Sequence, residues 1–309
     1  MINIYKTIDG RIVTLKQPEA GCWICAVSPT EDEVAYLINE MKLDTGFVRA
    51  ALDDEESSRI ESEENQTLVI VDVPIAERHD EKTVVYSTMP MSIIITDSFV
   101  VTVSLRENSV ISEITEGLIK NIQTGLKTRF LLSLLLRIAT RYLLYLKQID
   151  KISSFTERQL HKSMKNKELI QLLELEKSLV YFSTSLKSNE MTLQRILRGK
   201  IIKLYDEDED ILEDVLIEIK QAIEMCNIYS SILSGMMDAF ASIISNNLNI
   251  VMKILTCLTI IMAIPTMIFS FYGMNVSYLP LANSWFPISF SVVSVIAATI
   301  ILVKKGMFK

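Results

Sequence analysis

The sequence predicts an α/β N-terminal domain, a helical layer, a very long stalk helix that continues into an apolar span, and a second apolar span. Three observations carry this reading. Residues Ile254 to Val303 contain no Asp, Glu, Lys or Arg. Four β-branched runs fall between Leu68 and Val103, and beyond about Ser109 they give way to Leu, Ile, Glu and Lys at helical spacing. No convincing helix stop lies between Asp210 and Gly273, Gly235 being a lone glycine.

Residues 1–107 form the expected α/β domain. Thr30 is placed as the N-cap of an amphipathic helix running to about Met41, with Glu33 at the capping-box position. The runs Leu68–Val73, Thr83–Tyr86, Met91–Thr96 and Phe99–Val103 read as strands, punctuated by Pro74, Pro90 and the Thr96-Asp97-Ser98 turn. The last gaps are too short for crossover helices, so the sheet is expected to be mixed or antiparallel. Cys22 and Cys25 make a C-x-x-C inside the apolar run Cys22–Val27. On a strand, residues three apart face opposite ways, which suits two buried side chains better than a redox or metal pair.

Residues 108–204 are read as the helical layer. Leu131 to Leu146 is apolar enough to suggest a span, but Arg137 and Arg141 interrupt it. A charge at mid-bilayer costs roughly 3 kcal/mol, so a buried soluble helix is expected. Lys165-Asn166-Lys167 is read as the turn into a second helix ending near Gly199. The acidic run Tyr205–Asp210 then starts the long helix, since acids favour a helix N-terminus. From Asp210 to Gly273 it would be roughly 90 Å long. Residues 205–253 are its stalk, 254–272 the first span, 273–286 an outer loop, 287–303 the second span and 304–309 a basic tail. A bilayer core of about 30 Å needs about 20 apolar helical residues. Pro280, Asn283 and Pro287 break the chain between the spans.

The 309 residues carry a net charge of −7, which argues against nucleic acid as a partner. Four cysteines and two histidines, His79 and His161, show no ligand spacing for zinc. There is no nucleophile–His pair and no phosphate-binding glycine loop, so an enzyme is not expected. The N-terminus MINIYKTIDGRIV has no signal-peptide pattern. Lys253, Lys304, Lys305 and Lys309 flank the spans, whereas the connecting turn has no Lys or Arg and carries Tyr278 and Trp285. The positive-inside rule then puts both termini in the cytoplasm of a multi-pass cell-membrane protein.

Steps of four and three along the long helix pick out Asp238, Ser242, Ser245, Asn249, Met252, Thr256, Thr259, Ala263, Thr266, Ser270 and Gly273. Such a repeat implies a left-handed supercoil. All but Met252 are small or polar. The stripe fits either tight helix packing or the lining of an ion path. Neutral oxygens suit Mg²⁺, which sheds its water reluctantly. Asn275 offers an amide oxygen, and Gly273 and Met274 offer carbonyls. Met252 and Leu255 could form an apolar neck that gates by dewetting. Pro265 frees the carbonyl of Ile261 and either bends the helix or is tolerated.

Tyr272-Gly273-Met274-Asn275 closes the first of two C-terminal spans, behind Ser245–Thr256. These residues, Arg59-Ile60-Glu61 with the strand after it, the basic tail and the order of elements resemble the CorA family of divalent-metal channels. The resemblance implies a funnel-shaped homopentamer, five first spans around one pore, and a selectivity ring at Gly273, Met274 and Asn275. It implies Mg²⁺ as both transported and regulatory ion, with no other cofactor, and possible passage of Co²⁺ and Ni²⁺. It implies closure by Mg²⁺ held between carboxylates of neighbouring cytoplasmic domains. Asp214 matches the long-helix carboxylate. A gapless match puts Ala50 at its partner, with Asp53 or Asp54 nearby as substitutes. The outer loop, Val276 to Phe286, lacks the acid several members carry there. A zinc transporter of the same architecture and a membrane-anchored sensor without transport are the other readings.

Overall fold

The computed structural model describes residues 1–80, 83–119, 122–163, 166–199, 201–275, 283 and 285–308. Two compact units are distinguished, Met1–Ser234 and Gly235–Lys309.

The first unit is built on a seven-stranded sheet. Its strands are β1 (Ile2–Ile8), β2 (Arg11–Leu15), β3 (Trp23–Val27), β4 (Arg59–Glu63), β5 (Gln66–Asp80), β6 (Thr83–Ile95) and β7 (Val100–Ser104). Their order is β2-β1-β3-β7-β6-β5-β4. Among the described residues only β3 and β7 pair in parallel, so the sheet is mixed. Helices α1 (Glu31–Asn39) and α2 (Thr45–Ala50) share one core with Ile24, Ala26, Leu68, Ile70, Val101 and Val103. On the other face lie α4 (Lys127–Ser163) and α5 (Asn166–Gly199), after the short α3 (Ser109–Thr115). Both faces of the central strands are therefore covered, which is why they read as continuous apolar runs.

Local chemistry fixes the pieces. Thr30 caps α1 with the full capping box, and the Thr30 N–H bonded to Glu33 holds that carboxyl below its usual range. Trp23 is fully buried, donates its indole N–H to Thr102 Oγ1 at 2.9 Å and packs on Tyr5 and Phe130. Leu131, Leu132, Leu134, Ile138, Tyr142 and Leu146 of α4 are buried, while Arg141 pairs with Glu113 and lies over the Tyr145 ring. The apolar stretch with two arginines is thus a soluble core helix. Cys22 and Cys25 are free and buried, and burial pushes the Cys25 thiol up to about 12, leaving it inert.

Two sequence expectations are corrected. Pro74 and Pro90 do not end strands; β5 and β6 run through them. The reason is that each sits where its neighbour has run out. The last β4–β5 pair is Arg59 with Ile70, and the last β6–β7 pair is Met91 with Ser104. A missing N–H there leaves no ladder bond unmade. The hairpin strands β1 and β2 and helices α2 and α3 had no counterpart in the sequence reading. Of the turn placed at Lys165-Asn166-Lys167, Lys165 lies outside the described residues, and Asn166 and Lys167 are corrected to the first turn of α5, with α4 ending at Ser163.

Helix α6 (Asp206–Tyr272) is 67 residues long and passes through Pro265 without a break. At 1.5 Å per residue it measures about 100 Å. Helix α7 (Trp285–Lys304) follows. These two helices are long and apolar enough to cross a membrane. Within the second unit, Tyr272 meets the Phe286 ring at 6.3 Å and Phe286 stacks on Phe290. The α7 C-terminus closes with Gly306 at φ 69° and bonds Gly306 N to Val303 O and Met307 N to Leu302 O. That pairing is a Schellman motif, which needs a left-handed residue. It brings the Met307 carbonyl to 4.0 Å from the Sγ of fully buried Cys257.

Candidate ion path

Along the apolar half of α6, Asn249, Met252, Leu255, Thr256, Thr259, Ala263, Thr266 and Ser270 are all exposed in the single chain. Met252 and Leu255 keep 52% and 55% of their surface open. The hydroxyls are not free rotors. Thr256 donates to Met252 O at 2.8 Å, Thr259 to Leu255 O at 2.9 Å and Thr266 to Met262 O at 3.0 Å; Ser242 does the same to Asp238 O at 3.0 Å. Each hydroxyl proton is thereby spent on the carbonyl one turn back. What the oxygen still presents outward is lone pairs. Waters bound to a dication offer protons, so these rungs match a hydrated cation. Thr259, Ala263, Thr266 and Ser270, flanked by Met262 and Met267, line a shallow groove of about 570 Å³.

The stripe ends at the helix terminus. Gly273 N donates to Phe269 O at 2.9 Å, and Met274 N to Phe271 O at 3.4 Å. A Cβ on Gly273 would sit 3.2 Å from Phe269 O and 3.7 Å from Ser270 O. A side chain at Gly273 would thus be tight against the last helical carbonyls, and the residue is not in a left-handed turn. Gly273, Met274 and Asn275 are exposed. Residues 276–282 and 284, with Tyr278 and Pro280 of the expected outer loop, lie outside the described residues, as does Lys309 of the tail.

The carboxylates expected to sense metal are dispersed. Asp214 is exposed on α6. Asp53 accepts from Glu55 N at 3.0 Å, and Asp54 lies 3.7 Å from Arg106. Among the described residues no group of three or more His, Cys, Asp or Glu is placed to hold a metal. One chain therefore does not assemble these three aspartates into a site.

A polar junction escaped the sequence reading. Beyond the end of β4, the Asn189 side chain of α5 takes the place of a strand: Asp72 N donates to its Oδ1 at 2.9 Å and its Nδ2 donates to Asp72 O at 2.8 Å. Ser58 donates to the same Oδ1 at 3.0 Å, and Tyr142 donates to Asp72 O at 3.1 Å. Burial raises the Asp72 carboxyl above its usual value, against hydrogen bonds from Ser185 and Ser58. The signal that could have found it is the pair of prolines, which marks where the ladder stops.

A packed α/β-and-helical unit followed by two apolar helices, the first bearing an oxygen-lined stripe, has the build of a two-span membrane transport protein. The model of the family described as CorA-like Mg2+ transporter protein matches residues 18–305, and the chain belongs to that family. It is 29% identical to the cobalt/magnesium transport protein CorA of Methanocaldococcus jannaschii over 97% of this chain and 96% of that one. It is 31% identical to the protein of the same name from Thermotoga maritima, over 41% of this chain and 40% of that one. The solved complete structure of the M. jannaschii CorA magnesium transporter superposes with a TM-score of 0.82 at 26% identity, covering 98% of this chain and 97% of that one.

Proposed function

We propose that this chain forms a channel for divalent cations, Mg²⁺ foremost and Co²⁺ and Ni²⁺ with it, from five copies around one axis in the cell membrane. The observation that carries the reading is the α6 stripe, whose hydroxyls turn lone pairs outward and which ends at Gly273-Met274-Asn275. Asn275 and the carbonyls of Gly273 and Met274 hold a still-hydrated ion at the outer mouth. Met252 and Leu255 form the apolar neck toward the cytoplasm. Both termini face the cytoplasm, in keeping with Lys253, Lys304 and Lys305 on that side. Mg²⁺ bound between Asp214 of one copy and Asp53 or Asp54 of the next relieves like-charge repulsion and favours the closed state. Zinc fits less well: the stripe offers oxygen and one thioether, while Cys257 is buried to one side of it.

The test is uptake of Mg²⁺, Co²⁺ and Zn²⁺ into proteoliposomes, with and without an imposed potential. Asn275→Ala and Gly273→Ala should abolish uptake and leave the assembly size unchanged. Normal uptake by a folded Asn275→Ala protein removes the motif from selectivity, and absence of uptake by the parent favours a sensor without transport. For regulation, Asp214→Ala should lose much of the protection from proteolysis that added Mg²⁺ gives the parent. Undiminished protection puts the sensor elsewhere.

A further inference from the structure

We propose that Lys253, Lys304 and Lys305 form a built contact for the headgroups of anionic phospholipids, on the side of α6 that faces α7 rather than on the ion-path stripe. The charge distribution isolates them. Residues 235–309 hold a single acid, Asp238, and no arginine. The chain as a whole carries −7, so its negative charge lies in the first unit while the second is net positive. All three lysines are exposed, and none has a carboxylate partner among the described residues.

Geometry gathers them at one level. Equal steps down both helices from the Tyr272–Phe286 contact, 272 to 254 and 286 to 304, arrive beside Lys253 and at Lys304. The Schellman turn at Gly306 then folds the chain end back, and its Met307 carbonyl rests on Cys257. Cys257 is fully buried under that turn. Lys253 is one helical turn before Cys257 and shares its face. It is about 100° round the helix from Met252, so it does not belong to the stripe. Phe308, 42% exposed, adds an apolar anchor beside the charges. Basic side chains immediately beyond the apolar zone, with an aromatic ring among them, suit a surface of lipid phosphates. An anionic peptide would not share that depth.

The inference rests on the two-span reading but not on transport, and its assay reads lipid alone. Full-length protein is reconstituted in phosphatidylcholine vesicles carrying trace spin-labelled phosphatidylglycerol or spin-labelled phosphatidylcholine. The ratio of motionally restricted label gives the selectivity. A lysine near an anionic surface contributes roughly a five-fold preference, so the parent should favour phosphatidylglycerol at least about two-fold, less at high salt. The triple variant Lys253→Gln/Lys304→Gln/Lys305→Gln should fall to a ratio near one, and the corresponding triple Arg variant should keep the parent's preference. Lys220→Gln, in the stalk, should change nothing. A parent ratio near one, or a Gln variant that keeps its preference, overturns the proposal. So does displacement by inorganic phosphate beyond that caused by chloride at equal ionic strength, which would mark a free-phosphate site.

Discussion

The two halves of α6 are one unbroken helix in opposite circumstances. In the first half Leu212, Val215, Leu216, Ile219, Ala222, Ile223, Cys226 and Leu233 are buried by the chain's own fold. In the second half, from Gly235 to Tyr272, only Phe240 and Cys257 are buried, although the sequence there is more apolar. Hydrophobicity therefore does not decide burial; the presence of a partner does. Exposed apolar surface of that extent marks an interaction or membrane surface. For the second half the fitting partners are lipid and further copies of the chain.

Leu212→Ala should test the packed half hardest. It leaves a cavity under a fully buried side chain and should cost about 2–5 kcal/mol, read as a lower thermal midpoint of the full-length protein in detergent. Leu258→Ala, half-exposed in the open half, should leave that midpoint nearly unchanged. Equal losses would erase the contrast. Asn189→Ala should rank next. It leaves Asp72 N without its acceptor, while Asp72 O keeps the Tyr142 hydroxyl, and an unsatisfied buried group costs about 1–3 kcal/mol. A neutral result would show that water replaces the amide.

Met252→Ser acts on the open half and should leave stability alone. Wetting the proposed neck should raise leak at high internal Mg²⁺, measured as efflux from loaded proteoliposomes; unchanged leak for both Met252→Ser and Leu255→Ser puts the gate elsewhere. The smallest effect belongs to Asp72→Asn. The folded carboxyl titrates above its unfolded value because it is buried. Its contribution to stability is full below the unfolded value of about 4 and lost as pH rises through the folded one. Asp72→Asn should thus melt slightly higher than the parent near neutral pH, and the gap should close on acidification. A gap that is the same at acid pH would mean the charge is not the cause.

Legibility followed the range of the interactions. The stripe and its closing Gly273-Met274-Asn275, proposed above as the ion path, stand out because their spacing is written along one helix. The capped α1 and the buried apolar α4 were readable for the same reason. Asn189 was not, because its partner lies 117 residues away and its polarity has no local purpose. Strands β1 and β2 were missed because β2 is the edge strand and β1 its neighbour, and Asn3, Lys6 and Arg11 interrupt the apolar signal there. The prolines were misread because their cost depends on a neighbouring strand that sequence does not display. The partner of Asp214 is proposed to lie in another copy, beyond what one chain's pattern can encode.

The back-bonded hydroxyls have a consequence for ions of the other sign. A chloride ion needs donated protons around it, and Thr256, Thr259 and Thr266 have already given theirs to the helix. A ring of such rungs would be inhospitable to anions while bearing no charge of its own. Rejection by polarity rather than by a fixed negative charge leaves nothing to grip a dication strongly. In the channel proposed above, a wall that kept chloride out would let the hydrated metal slip from rung to rung.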